Sequence, residues 1–403
     1  MRESLELGWS VDRVALLGIH EGFGALFPEK EGLRMGLGMG SAGLATFVLL
    51  PASVLLHEEW HRAVLGQYDI SSHDDGLDPT AIFRGPVSVS HLADGDLAWL
   101  KAEHPADMVR LMSAGIESQV ALGERFGDEA FLHGRDSREG GRLFTADSWA
   151  VPFLAMNHLQ NLIYFAECAS PSSDDMTDEM NRAEPTVPPR DFTGLDCNAW
   201  VYDMERPDEP YAERGQHPWG PGIDRYRSWS DLTTDEQGYL RLQTGLYLLN
   251  ALDPHLVGID GFNLPNGGRM VGNVRHLIGP WGYEVDARFG LVKDGLALRA
   301  ELRNGIAAHG WFPGVGARLD DLPLRGPLTL DLRADAWLQP EDQRHDAARR
   351  MPGGLVAADL GWRVFPRLDL DFGLTAKTAG FVMGEVDLGP SLGGRIGVVG
   401  HIK

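Results

Sequence analysis

"LALRAELR", residues 296–303, is the stretch on which the reading of the fold turns. Leu296, Leu298, Ala300 and Leu302 fall on one side of an extended chain; Arg299, Glu301 and Arg303 fall on the other. A period of two, apolar against charged, marks a β-strand with unlike faces. A helix would scatter the same residues around its circumference. The alternation recurs in "YEVDARFGLV" (283–292), "LTLDLRADAWL" (328–338), "LDLDFGLTAKT" (368–378) and "FVMGEVDLG" (381–389). Short turns such as "KDG" (293–295) and "FPR" (365–367) join some of these runs, and a longer connection, "QPEDQRHDAARRMPGG" (339–354), joins others. Residues 261–403 therefore read as an antiparallel meander of about seven or eight strands that curls or closes into a barrel.

Alternation alone does not say which face is outside. With the apolar side out and the charged side lining a lumen, strand length, turn pattern and glycine content resemble outer-membrane β-barrels. That resemblance implies a membrane-seated β half in a bacterial outer membrane. The ending "VVGHIK" departs from the aromatic last residue of many such barrels. With the apolar side in, the same strands form a soluble barrel or a sheet packed on helices. Both readings stay open at this point.

Upstream, residues 1–260 read as mainly helical, so the chain as a whole is expected to be α+β. A first helix is predicted from Thr46 to Leu65, and a second in "PADMVRLMSAGIESQVALGERF" (105–126), where Met108, Leu111, Met112, Gly115, Ile116 and Val120 keep a helical period. "DSWAVPFLAMNHLQNLIYFAECA" (147–169) is apolar nearly all round, as a buried helix should be. A fourth helix is predicted in 231–252, capped by Thr233 or Thr234. The Pro- and acid-rich segment 169–231, with eight prolines and Trp200, Trp219 and Trp229, has no clear period and reads as a long ordered loop. Residues 37–56 carry no charge, but three glycines and Pro51 favour a strand or turn feeding a buried helix over a membrane span.

The formal charge is −22, from 58 acidic and 36 basic residues. That balance argues against nucleic acid or anionic lipid headgroups as the main partner, since both call for basic patches. Cys168 and Cys197, the only two cysteines, flank the polar segment. A bridge between them would add roughly 3–4 kcal/mol by restricting the unfolded chain and would fit an exported protein, in the periplasm or outer membrane. "MRESLELGWS" lacks the basic and apolar regions of a signal peptide, so export would require a leader removed earlier.

"LLHEEWHRAVLG" (55–66) carries the chemistry. His57 and His61 are four apart and share one helix face, so both imidazoles can reach one ion, with Glu58 beside the first to act as proton acceptor. The pattern resembles the HExxH motif of zincin metallopeptidases, which implies zinc as cofactor and a peptide or protein as substrate. No histidine follows at the place where metzincins carry their third ligand, so the gluzincin arrangement, with a glutamate from a later helix, is the one to compare. Glu117 is then the expected third ligand, with Ala114 and Gly115 beside it allowing close helix approach. His73, Asp74 and Asp75 in "SSHDDGLD" compete for that role, or bind calcium, or form a solvated turn. Asn157 and His158, on the most apolar helix, are core hydrogen-bonding groups or supports of the metal site, and Tyr164 is a weaker candidate for support. The alternative function is a non-enzymatic barrel or scaffold in which HEEWH is structural.

Overall fold

The computed structural model describes residues 1–27, 29–44, 52–74, 89–133, 150–184, 190–257, 259, 261–265, 267–366 and 368–400. The order is α1 (Arg2–Leu26), α2 (Glu31–Leu44), α3 (Ala52–Gly66), a small ribbon of β1 (His73–Asp74) and β2 (Val89–Ser90), then α4 (Asp94–Glu103), α5 (Pro105–His133), α6 (Ala150–Cys168), α7 (Ser172–Ala183), α8 (Asp196–Glu205) and α9 (Thr234–Tyr247). A short β3 (Phe262–Asn263) opens the second half. It is followed by β4 (Arg269–Gly279), β5 (Gly282–Lys293), β6 (Leu296–Ala307), β7 (Gly310–Pro323), β8 (Leu328–Pro340), β9 (Arg350–Phe365), β10 (Leu368–Lys377) and β11 (Ser391–Gly400). The chain is thus α+β. Its nine-stranded sheet is antiparallel throughout, keeps chain order from β3 to β11, and is open rather than a closed barrel.

α5 is the spine of the helical half. Leu111, Met112, Ala114, Ile116 and Ser118 are buried on all its sides, with α3, α6 and α8 packed around it. α9 begins where its sequence says it should: the Thr233 hydroxyl accepts from the Glu236 amide, and the Glu236 carboxylate accepts from the Thr233 amide at 2.7 Å.

Several expectations need correction. α1, α2 and α4 precede or separate the predicted helices, and residues 37–44 close α2 instead of forming a strand or turn. The predicted start at Thr46 lies outside the described residues. No described helix is long and apolar enough to cross a membrane. The segment read as one long loop contains α7 and α8, and α8 is buried from Asp196 to Met204. Its prolines flank these helices, which is why no single period runs through the segment. "FVMGEVDLG" is not a strand. Gly380 and Gly384, both at positive φ, break the extended path, and Phe381 and Val382 turn into the core. Strands β4, β7, β9 and β11 complete the sheet, β9 beginning inside the connection read as 339–354.

The facing of the sheet is apolar side out. One row runs Leu291, Leu298, Leu319, Leu332, Ala358, Leu374 across adjacent strands in register. Its Leu298, Leu332 and Leu374 are exposed, as are Val356, Leu392 and Ile396 on neighbouring rows. The alternate residues point inward at the helices. Glu124 and Asp128, one turn apart on α5, take Arg275 and Arg299; Arg275 also reaches Asp286 and Glu301, and Arg299 reaches Asp320 at 3.1 Å. Arg303 grips Glu284 with two nitrogens, the closest contact 2.6 Å. Buried pairs of this kind add little net stability against an apolar replacement, but losing one partner costs roughly 3–5 kcal/mol. Their effect is to hold α5 against the sheet in a single register.

His276 stitches β4 to the segment after α9. Its amide donates to the Asn250 side chain at 2.7 Å, and the Asn250 amide group donates back to the His276 carbonyl. Burial lowers its imidazole from 6.5 to about 3. The unfolded ring takes up a proton near 6.5 while the folded ring resists until about 3, so within that window the unfolded state binds more protons. Stability is therefore full above pH ~6.5 and declines as the pH falls toward 3, by as much as a few kcal/mol. Denaturant midpoints at pH 7 and pH 4.5 should differ, and His276→Gln should shrink that difference; an unchanged difference would remove His276 as its source.

Candidate metal centre

α3 brings His57 and His61 to one face, and α5 crosses that face at Gly115. The crossing is so close that a Cβ on Gly115 would lie 2.3 Å from Nε2 of His57 and 2.4 Å from Nε2 of His61. His61 is almost wholly buried, with the Phe192 ring 4.8 Å away between centroids. Its Nδ1 lies 2.5 Å from the Leu111 carbonyl, an acceptor only, so Nδ1 carries the proton and Nε2 presents a lone pair inward.

The third group is Asp196, at the start of α8 and 139 residues beyond His57. Its Oδ2 lies 2.8 Å from Nε2 of His57 and 3.3 Å from Nε2 of His61. Two devices hold it there. The Asp196 amide donates to the Tyr164 hydroxyl at 2.9 Å, and the next residue, Cys197, is disulfide-bonded to Cys168 at the end of α6. The bridge expected from the sequence thus ties the α8 start to α6 and aims Asp196. Among the described residues, His57, His61 and Asp196 form the one group of three such side chains whose ligand atoms all lie within 4.8 Å of one another.

Electrostatics follow from this crowding. Burial alone would raise the Asp196 carboxyl, but the neighbouring imidazoles of His61 and His57, the latter in hydrogen-bond contact, hold it well below the usual carboxylate range. Tyr164, edge-on to the His57 ring, is pushed well above its ordinary value, first by burial and then by the negative charge of Asp196, with Glu58 adding to it. Its hydroxyl therefore stays protonated at neutral pH. Glu58 is itself buried.

The other residues singled out from the sequence lie elsewhere. Glu117 is fully buried, but its carboxylate accepts from Arg110 at 3.0 and 3.1 Å and from the Gly384 amide at 2.8 Å. The reason is rotation: with Gly115 facing the histidines, a residue two further along a helix is turned by ~200°. Glu117 ties α5 to the loop after β10 and is not among the three grouped side chains. Asn157 donates to Gln119, which in turn donates to the Ser53 carbonyl just before the histidine helix face. His158 faces Tyr247, and burial lowers its ring to about 4. His73 meets His91 edge-on and Asp74 is buried in the β1–β2 ribbon, neither among the three grouped side chains; Asp75 lies outside the described residues. Asp196 was missed because its only local signal was its place beside Cys197.

Comparison with known proteins brings out no matching family, no matching curated protein and no matching solved structure. The chemistry of this centre therefore rests on its own geometry.

Proposed function

We infer that the chain is a metal-dependent hydrolase that binds one divalent ion through His57, His61 and Asp196. The observation that carries this reading is the buried Nε2 of His61, which has no hydrogen-bond partner although its ring is fixed by Leu111. With Nδ1 protonated, that nitrogen is a lone pair facing a carboxylate oxygen and a second imidazole. Such donors repel one another unless a positive charge lies among them, either extra protons or a metal ion. Two imidazoles and one carboxylate suit zinc, and the absence of a side chain at Gly115 leaves the space beside them clear.

When bound, the ion would act as a Lewis acid toward a carbonyl substrate and would acidify water. The protein's own groups divide the remaining work. Asp196 supplies negative charge that stays ionised at any neutral pH. Glu58, adjacent to His57, is the carboxylate that would take a proton from the attacking water and return it to the leaving group. Tyr164 remains a neutral hydroxyl and so does not compete as an anionic ligand. Peptide or protein is the substrate class to which the HExxH resemblance points.

The test is metal analysis of protein purified without chelator. About one zinc per chain is expected, retained on dialysis and lost in His57→Ala and His61→Ala. Iron in place of zinc would redirect the chemistry away from hydrolysis. Protein that neither carries nor takes up a transition metal would return the cluster to a protonated His–Asp ion pair with a structural role.

A further inference from the structure

We propose that the outer face of the sheet seats in the acyl-chain layer of a lipid bilayer. In a sheet exposed to water, polar residues face solvent and apolar ones face the core. Here the order is reversed. From β8 through β11, in register, the outward positions carry apolar side chains or glycine, the single exception being Arg350 at the very start of β9. The other charged residues of these strands fall on the opposite face, where they pair with one another: Arg333 with Asp335, Arg363 with Asp369, and Arg395 with Asp359 and Asp371. Leu374, Ile396 and Leu392 are 66%, 80% and 83% exposed, more than scattered surface leucines would account for, because they lie on adjoining strands as one surface. Ala317, Ala334, Ala358 and Ala376 leave between the larger side chains a trough of about 640 Å³. Fatty acyl chains, thin and without hydrogen-bonding needs, match such a trough.

Dimensions agree with this occupant. The strands from β4 to β11 are 10 to 16 residues long, and a tilted strand needs roughly 9–11 residues to cross the hydrocarbon layer. Trp362 and Phe365 stand exposed near the end of β9, and Trp311 near the opposite end of its neighbour's sheet-mate β7, as aromatic residues stand at membrane interfaces. On the opposite face, Arg2 at the start of α1 reaches Thr375, an inward position of β10, so α1 stays with the other helices and leaves the outer face uncovered. The Cys168–Cys197 bridge suits a compartment outside the cytosol.

The test uses the whole chain with vesicles of neutral phosphatidylcholine, where charge attraction plays no part. The protein should float with the vesicles, and 1 M salt, which leaves a Debye length of only ~3 Å, should not release it. Acyl chains brominated in mid-chain should quench tryptophan fluorescence, less so in Trp311→Phe/Trp362→Phe. Leu374→Arg should lower flotation at least tenfold, whereas Arg349→Asp, on the exposed β8–β9 connection, should not. The quenching measurement on the unaltered protein is an independent readout that does not depend on how Leu374→Arg folds. Protein that stays monodisperse without detergent and neither floats nor is quenched overturns the proposal. A detergent-free dimer that shields Leu374 also overturns it, assigning the face to a second copy of the chain.

Discussion

Replacing Glu58 with Gln should lower peptide hydrolysis at least ~100-fold, the usual contribution of a general acid–base group, while leaving metal content near one per chain. Gln keeps the shape and hydrogen-bonding capacity of the side chain and removes its ability to take a proton. Because Glu58 is not one of the three grouped side chains, the ion should stay. The loss should fall on kcat more than on KM, since proton transfer matters in the transition state and little in the ground state. If hydrolysis persists near the original rate, Glu58 is not the base. If metal leaves together with activity, Glu58 belongs to the coordination sphere and its role has to be redrawn.

Gly115→Ala should abolish metal binding almost as completely as Asp196→Ala. In an ordinary helix interior this change stabilises by roughly 0.5–1 kcal/mol, because Ala loses less backbone freedom than Gly. At Gly115 the new methyl would lie 2.3 Å from Nε2 of His57 and 2.4 Å from Nε2 of His61, well inside contact distance. One of the helices or both imidazoles must move, and His61 cannot move without leaving the Leu111 carbonyl. Metal affinity should fall at least ~100-fold, as losses around a metal site commonly do. Calorimetric titration with zinc beside a melting curve separates the outcomes. Weak binding with a nearly unchanged melting temperature supports the centre over Gly115; full binding would place the ion away from α5.

The parts of the site legible in the sequence were the local ones. His57, Glu58 and His61 follow from the 3.6-residue period of a single helix, and Gly115 was recognisable as a point where α5 approaches closely. Glu117 was read two residues away from that point, which is the opposite side of the helix, and there it meets Arg110 instead. Asp196 had no comparable signal. It reaches the histidines only because the disulfide and the Tyr164 hydroxyl draw α8 across from a segment whose own period is broken by proline.

The sheet divides in the same way. Alternation in "LALRAELR" and its neighbours determined that residues beyond 261 form antiparallel strands with one apolar and one charged side, because a strand's side-chain period depends on the backbone alone. The HExxH spacing likewise determined two side chains on one helix face. Neither pattern could say what lies opposite. The pleat is symmetric, so apolar-out and apolar-in give the same sequence, and only the packing of Glu124 and Asp128 of α5 against the arginine rows turned the charged side inward. The third residue of the metal centre was decided in the same way, by chain segments far apart in sequence meeting around α5, a contact no local period encodes.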